Sequence, residues 1–328
     1  MADMQPYVRP PAPMSVSSEA RRYLDAPSEF GGDPAPADAR DTAAWEKYIE
    51  ERDAMLAKVI GGRLPEDLPL DESSFEIDGV TTYCLRPHHV PEGRETPIYL
   101  DIHGGGLILG GGQVCRLMAR GSAMVRPMIT WSVDYRMPPR YPYPASLDDC
   151  VAVYRRLLEE RPPEDIFVGG ASAGGNLAPA LLLRAKDEDL PMPAGLLLLT
   201  PEVDLTESGD TFRTLNGIDS VLQPLMGTNL IYANGADLAH PYLSPLFGDV
   251  TGFPPTFLQS GTRDLFLSNT VRMHRKLLAA AVEAELHVFE AMPHGGFGGG
   301  TPEDMDLMQS VVRFLDMHRR HLTEREAP

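Results

Sequence analysis

The 328-residue chain contains few cysteines, and none of them form a metal-binding pair. Cys84, Cys115 and Cys150 include no Cys-x-x-Cys motif. An odd, sparse set of this kind argues against a disulfide framework and against a thiolate metal site, so we expect neither. Each cysteine is expected to behave as a small buried hydrophobic residue.

Basic residues are also scarce. Lys and Arg number 29 against 47 Asp and Glu, which gives a formal net charge of −18. Nucleic acids and anionic membranes attract positive charge, so we expect neither as a partner. The chain has no apolar run of bilayer length, and its proline-rich N-terminal residues contain no apolar core of signal-peptide length. We therefore expect a soluble protein located in the cytoplasm.

Hydrophobic residues make up 43% of the chain, enough for a substantial core. The length allows one large α/β domain with an accessory lid, or two smaller domains. Helical patterns alternate with short runs of strand character at residues 75–79, 81–86, 98–102, 128–135, 165–168, 194–200, 256–260 and 285–289. This alternation favours an α/β protein with a mostly parallel, doubly wound sheet of these strands, flanked by helices.

Two segments lack strand patterns and are candidates for the lid. Residues 41–60 have apolar residues at helical spacing, and we expect Asp41 to begin this helix and Gly61-Gly62 to end it. The helix precedes every predicted strand, which favours a position over the core rather than within it. Residues 205–245 have no sustained strand pattern and can return to the same lid.

The sequence Gly170-Ala171-Ser172-Ala173-Gly174 lies between a short apolar strand and a helical run. A strand, a sharp turn, a serine and a helix are the context of a nucleophile elbow. Taken alone, a serine between glycines is more often a structural turn. The catalytic interpretation therefore depends on what the rest of the chain supplies.

The rest of the chain supplies an acid and a histidine. Asp264 and His294 each follow a predicted strand, and the order Ser172, Asp264, His294 is the order of an α/β-hydrolase triad. The carboxyl ends of parallel strands lie at one edge of the sheet, so the three side chains can meet there. His294 would take the serine proton, and Asp264 would orient the imidazole. Either residue alone is more often a loop or turn residue, but their joint placement favours the triad.

A glycine-rich segment, His103-Gly104-Gly105-Gly106, follows the predicted strand at 98–102. Alone it would be interpreted as a flexible turn. Beside an elbow serine, the backbone N–H groups of Gly105, Gly106 and Ala173 are predicted to form an oxyanion hole. Another glycine run, residues 110–112, lacks the lysine of a phosphate loop, and we predict no cofactor and no metal at the site.

Taken together, these motifs resemble the hormone-sensitive-lipase-like esterases of the α/β-hydrolase superfamily. The matching segments keep the family's order from about residue 70 onward and are His103–Gly106, Ser132–Arg136, Tyr143–Ala145, Gly170–Gly175, Gly261–Asp264 and Met292–His294. The resemblance implies an α/β-hydrolase fold with a helical cap, and a serine carboxylesterase acting on a small-molecule ester with a short to medium acyl chain. It implies cap segments at residues 1–62 and 205–245, with the core at 63–204 and 246–328. Family members often self-associate, so a homodimer is compatible with it.

The sequence departs from the family at two positions near the serine. An acidic residue often precedes the nucleophile, but here Ala171 does. A charged residue, Glu202, follows Thr200-Pro201 where the family often has an aromatic one. Glu202 ends a predicted strand, so it is a possible pocket residue together with His103 and Gly104, although a solvated or ion-paired glutamate is an equal alternative.

Two other functions are compatible with the same residues. The triad also serves lactone and amide hydrolysis and acyl transfer to acceptors other than water, and the sequence does not separate these activities. The other alternative is a non-catalytic receptor, which would bind a small molecule on a hydrolase scaffold without cleaving it. The presence of serine, acid and histidine together counts against the receptor.

Overall fold

A computed structural model describes residues 9–29, 35–91, 93 and 96–325, with side chains described as far as residue 319. Its strands are β1 (Leu70–Ile77), β2 (Val80–Pro87), β3 (Ile98–Ile102), β4 (Ile129–Val133), β5 (Ile166–Ala171), β6 (Gly195–Leu199), β7 (Thr256–Gly261) and β8 (Ala284–Phe289). They form an eight-stranded sheet in the order β1-β2-β4-β3-β5-β6-β7-β8. β1, β2 and β4 pair antiparallel, and every other pair is parallel. The predicted α/β-hydrolase fold with a mostly parallel sheet is therefore confirmed.

The antiparallel edge begins with a hairpin whose turn the sequence specifies. Asp78 and Gly79 both have positive φ values, of 51° and 81°. A two-residue hairpin turn of type I′ requires positive φ at both positions, and an Asp-Gly pair adopts it readily. The turn sets the register in which Ile77 lies opposite Val80.

The helices are α1 (Ser18–Asp25), α2 (Thr42–Arg63), α3 (Gln113–Met124), α4 (Ala145–Glu160), α5 (Gly174–Asp187), α6 (Thr211–Thr214), α7 (Met226–Ala233), α8 (Leu267–Ala279) and α9 (Pro302–Arg325). Short 3-10 helices lie at Pro163–Asp165 and Pro245–Phe247. Of the helices in the described part of the chain, none combines the length and the apolarity that a membrane crossing requires.

The central strands bury side chains on both faces of the sheet. Leu100 of β3 lies in the large core that contains α4, α5 and α8, while its neighbour Tyr99 packs with Phe314 of α9. In β5, Val168 likewise lies in the large core, and its neighbour Phe167 lies in the core that contains Phe314. Successive side chains of a strand point to opposite faces, so two hydrophobic layers need the continuous apolar runs that the sequence contains.

Helix α2 begins as predicted, since Asp41 accepts a 3.1 Å hydrogen bond from the N–H of Ala44. The prediction that Gly61-Gly62 ends this helix is wrong, because α2 continues to Arg63. The end of α2 packs against α3, and a Cβ on Gly61 would lie 3.8 Å from Leu117. Tertiary packing can outweigh the low helix propensity of glycine.

The segments predicted to form the lid lie beside the loops that follow β3 and β8. Trp45 of α2 is fully buried and packs with Ile108, and with Ile231 of α7. Helix α1 packs through Ala20 against Met292, close to His294. Residues 1–8 and 30–34 of the predicted N-terminal cap segment lie outside the described residues. The domain boundaries drawn from the sequence stay a prediction.

Candidate active site

Ser172 lies in the turn between β5 and α5 with a strained backbone. Its φ of 57° is in the left-handed region, which a non-glycine residue rarely adopts. The turn is held from both sides: the N–H of Ser172 donates to the C=O of Leu199 at 2.9 Å, and its C=O accepts from the N–H of Glu202 at 3.2 Å. Strain of this kind persists only where the surroundings enforce it, and it is typical of a nucleophile elbow.

The glycines around Ser172 are required by close backbone approach. A Cβ on Gly170 would lie 2.3 Å from the C=O oxygen of Ile102, and one on Gly174 would lie 1.8 Å from the same oxygen. Any side chain at either position would force β5 and α5 away from β3. The glycines of the Gly-x-Ser-x-Gly motif therefore allow the turn to sit directly against the neighbouring strand.

His294 and Asp264 form a buried pair at the same edge of the sheet. Nδ1 of His294 lies 3.0 Å from Oδ1 of Asp264, and both residues are almost fully buried. The ring of Phe266 packs edge-on against the imidazole, with centroids 4.9 Å apart. The contact with Asp264 directs the Nδ1 edge of the ring toward the carboxylate, which leaves Nε2 at the opposite edge of the ring.

The carboxylate of Asp264 is fixed by three hydrogen bonds. Besides His294, its Oδ1 accepts from the N–H of Phe266 at 3.0 Å, and its Oδ2 accepts from the hydroxyl of Ser260 at 2.5 Å. Because the residue is fully buried, these donors replace the water that a carboxylate would otherwise bind. The acid therefore has a single orientation.

The glycine loop after β3 lies next to the serine. A Cβ on Gly104 would lie 3.4 Å from the Cβ of Ser172. Gly105 and Gly106 have φ values of 128° and 59°. Within the described residues, no acceptor pairs with the backbone N–H groups of Gly105, Gly106 or Ala173. Three donors close to the serine are thus available to an anionic oxygen.

Ser172 and His294 line one cavity of about 510 Å³. Gly104, Gly105 and Gly106 form part of its wall. Its apolar wall comes from α2, α3 and the segment before α7, and includes Met55, Leu56, Ile60, Met118, Leu222 and Leu225. A cavity of this size, apolar with a few convergent polar groups, suits a small organic molecule.

Several known proteins are similar to this chain. A family model for the alpha/beta hydrolase fold matches residues 99–297. An esterase of Acinetobacter venetianus is 32% identical over 225 residues, which cover 67% of this chain and 74% of the relative. The carboxylesterase NlhH of Mycobacterium tuberculosis is 31% identical over 249 residues, or 71% of this chain and 76% of that protein.

Solved structures are similar as well. The crystal structure of esterase E25 matches with a TM-score of 0.86 at 33% identity, covering 95% of this chain and 97% of that chain. An esterase from the bacterial hormone-sensitive lipase family matches with a TM-score of 0.80 at 27% identity, covering 94% and 99%. The chain belongs to the hormone-sensitive-lipase-like family of α/β-hydrolases.

His103, the first residue of the glycine loop, is packed into the protein rather than exposed to the cavity. His103 is buried and stacks on Tyr135, with ring centroids 4.0 Å apart. Its Nδ1 lies 2.8 Å from the C=O of Gly104, and since a carbonyl only accepts, Nδ1 carries the proton. Burial lowers the pKa of His103 to about 4, so its ring is neutral near neutral pH. His103 is not among the described residues that line the cavity.

The structure also places Glu202 away from the cavity. Its side chain is fully buried and is absent from the described lining. The backbone after Pro201 passes under the elbow, where the C=O of Glu202 accepts from Nδ2 of Asn176 at 2.7 Å. The possibility that Glu202 faces the pocket is therefore not supported, and burial raises the pKa of this carboxyl to about 8.

Sequence reasoning did not find Asp219. This buried residue lies in the segment between β6 and α7, and its Oδ2 accepts from the N–H of Leu265 at 2.8 Å. Burial raises the pKa of Asp219, an effect that the nearby His294 opposes. Its only signal in the sequence is an aspartate in a turn-rich segment, a pattern shared by many surface loops.

One group of the described residues has the ligand types and the spacing to hold a metal ion. It consists of His103, Cys115 and Asp134. The three come from the loop after β3, from α3 and from the loop after β4. Their positions in the sequence form no recognised metal motif, which is why the sequence predicts none.

Proposed function

We propose that this protein is a serine carboxylesterase in which Ser172, His294 and Asp264 act as nucleophile, base and orienting acid. The observation that carries the proposal is the buried His294–Asp264 pair at the wall of the cavity that also exposes the strained Ser172. Relatives named esterase and carboxylesterase support the coarser activity, and the protein is a carboxylic ester hydrolase.

The reaction proceeds in two halves. As the Oγ of Ser172 bonds to the ester carbonyl carbon, its proton passes to Nε2 of His294. The ester C–O bond then breaks, and the leaving alcohol takes that proton. Water next gives a proton to His294 and attacks the acyl carbon, and the acid departs as Ser172 recovers its proton.

The glycine loop stabilises both tetrahedral intermediates. The N–H groups of Gly105, Gly106 and Ala173 are the donors proposed for the oxyanion, since they are unpaired within the described residues and belong to the loop beside Ser172 and to the elbow itself. Ala173 is the residue before α5, so the positive end of that helix dipole adds to the same effect.

Residues 1–62 and 205–245 are proposed to form the cap that shapes the acyl pocket. Apolar side chains of α2 and of the segment before α7 line the same cavity as Ser172, and its volume of about 510 Å³ favours short to medium acyl chains. A series of nitrophenyl esters from acetate to palmitate tests the acyl limit. We expect kcat/KM to peak at or below medium length. A maximum at palmitate would contradict the proposed pocket.

The nucleophile is tested by Ser172→Ala. We expect a loss of at least ~10⁴-fold in kcat on nitrophenyl butyrate, because triad residues act as a unit. An organophosphate should label Ser172 in the unaltered protein, as read by peptide mass. Ser74→Ala, at an exposed strand position, serves as the control and should keep full activity. Hydrolysis that survives in a folded Ser172→Ala variant would refute the mechanism.

A further inference from the structure

The group His103, Cys115 and Asp134 lies behind the glycine loop. One ligand atom from each residue lies within 4.8 Å of the others. None of the three is among the described residues that line the active-site cavity. Cys115 is fully buried, and its Sγ lies 3.7 Å both from the hydroxyl of Ser132 and from the C=O of Val133, which are distances of weak sulfur hydrogen bonds.

The imidazole of His103 has one ring nitrogen that is not used. Nδ1–H donates to the C=O of Gly104, which leaves a lone pair on Nε2. Nε2 is buried and has no hydrogen-bond partner among the described residues. A histidine that ligates a metal typically donates its other N–H to a backbone carbonyl or a carboxylate, which fixes the tautomer. His103 already has this arrangement.

Two carboxylates, those of Asp134 and Asp53, lie near the group. Asp134 accepts from the N–H of Gly112, and Asp53 of α2 accepts from the N–H of Gly110, both at 2.9 Å. No ion pair with Lys or Arg involves either carboxylate within the described residues. Two partly buried carboxylates that repel each other favour a nearby cation.

We propose that His103 Nε2, Cys115 Sγ and the Asp134 carboxylate bind one thiophilic divalent cation, of which Zn²⁺ is the best fit. The thiol of Cys115 releases its proton to solvent as the sulfur–metal bond forms. The thiolate and the carboxylate then offset the two positive charges of the ion, so the buried site is neutral.

Small side-chain movements complete the coordination. Zinc ligands lie about 2.0–2.3 Å from the ion, and three protein ligands leave one tetrahedral position for water. Ligand atoms already within 4.8 Å of one another can close around an ion without moving a strand. Asp134 and Gly112 are partly exposed, which provides an entry path.

The ion is expected to slow ester hydrolysis. His103 directly precedes Gly104 and Gly105, so pulling its ring toward Cys115 shifts the loop that carries two of the proposed oxyanion donors. Zinc binding can be measured directly, so its test does not depend on the proposed catalytic mechanism.

The test is zinc binding by calorimetry and by metal content after dialysis of the purified full chain. We expect one Zn²⁺ per chain, and the corresponding Co²⁺ form should show a thiolate charge-transfer band in the near ultraviolet. Cys115→Ser should abolish that band. Both Cys115→Ser and Asp134→Asn should weaken binding by at least ~10–100-fold, the loss that even an outer-shell partner produces.

Two matched controls remove the same side-chain types elsewhere. Cys84→Ser changes a partly buried cysteine outside the group, and Asp78→Asn changes an exposed hairpin-turn aspartate. Both controls should bind zinc as the unaltered chain does. If circular dichroism shows that Cys115→Ser does not fold, the zinc affinity of Asp134→Asn decides whether the site exists. Absence of stoichiometric binding, equal loss in Cys84→Ser, or unchanged binding in the folded ligand variants would overturn the proposal.

Discussion

The carboxylate of Asp219 accepts a 2.8 Å hydrogen bond from the backbone N–H of Leu265, the residue that follows Asp264. The other oxygen of Asp219 accepts from the N–H groups of Val221 and Leu222, which line the cavity. One side chain therefore ties the acid loop to the wall of the substrate pocket. It also brings a second negative charge near His294.

Asp219→Asn should reduce turnover. An amide has one accepting oxygen, so its NH₂ group would face an N–H donor on one side, and the acid loop would shift. Hydrogen bonds to charged groups contribute about 1.5–3 kcal/mol, which corresponds to a decrease of ~10–100-fold in kcat. Loss of the second carboxylate should also move the acidic limb of the kcat–pH profile to lower pH, because less negative charge stabilises the imidazolium.

Asp237→Asn is the matched control for this change. Asp237 follows α7 within the predicted cap segment 205–245 and caps a turn by accepting from the N–H of Ala239, but it is exposed. The control should keep both the turnover and the pH profile. If Asp219→Asn lowers stability and leaves the acidic limb where it was, Asp219 has only a structural role.

Gly105→Ala should disable the glycine loop while the fold survives. Gly105 has φ of 128°, and a Cβ there would lie 2.1 Å from the C=O oxygen of Leu109. The loop must open to accept the methyl group, and this moves the N–H groups of Gly105 and Gly106 away from their proposed position at the oxyanion. Loss of one such donor typically costs ~10²–10³ in kcat, so we expect at least that decrease with a smaller change in KM.

Gly235→Ala separates backbone strain from the loop effect. Gly235 also has a positive φ, of 85°, but a Cβ there meets no atom within 4 Å. It should lose about 1–2 kcal/mol of stability and no activity. Steady-state kinetics and thermal melts of both variants provide the comparison. Normal kcat in Gly105→Ala would mean that this loop does not supply the oxyanion donors.

Much of the sheet could be predicted from the sequence, because its central strands are buried on both faces. The apolar run 98–102 corresponds to β3, and the turn Asp78-Gly79 joins β1 to β2. The placement of Ser172, Asp264 and His294 after strands followed from the same patterns, since parallel strands end at one edge. Local signals were sufficient for these features.

The features that the sequence did not reveal depend on contacts between distant segments. Asp219 reaches a backbone N–H 46 residues further along the chain. The group around Cys115 is assembled from three elements, and α2 is extended beyond its glycines by packing on α3. Each outcome depends on where irregular segments lie after folding, and composition and periodicity carry little information about that.

Glu202 should make the stability of the protein fall as pH rises. Its side chain is fully buried, and the neighbouring side chain of Asn229 favours the ionised form but does not offset that burial. Burial raises the pKa of Glu202 to about 8 in the folded protein, and Glu207 and Asp204 add to the rise. An unfolded glutamate titrates near ~4.3, so the folded state holds more protons between these two values. The free energy of unfolding therefore decreases with rising pH across that window.

Glu202→Gln should remove this dependence, because glutamine resembles the protonated acid and does not titrate. Near pH 5 the variant and the unaltered protein should melt at similar temperatures. By pH 8 to 9 the variant should melt roughly 5 °C higher, which corresponds to a few kcal/mol in a chain of this size. Glu76→Gln, at an exposed position of β1, is the control and should show no growing difference. A melting difference between Glu202→Gln and the unaltered protein that stays constant or shrinks from pH 5 to pH 9 would show that Glu202 is already ionised in the folded core at neutral pH.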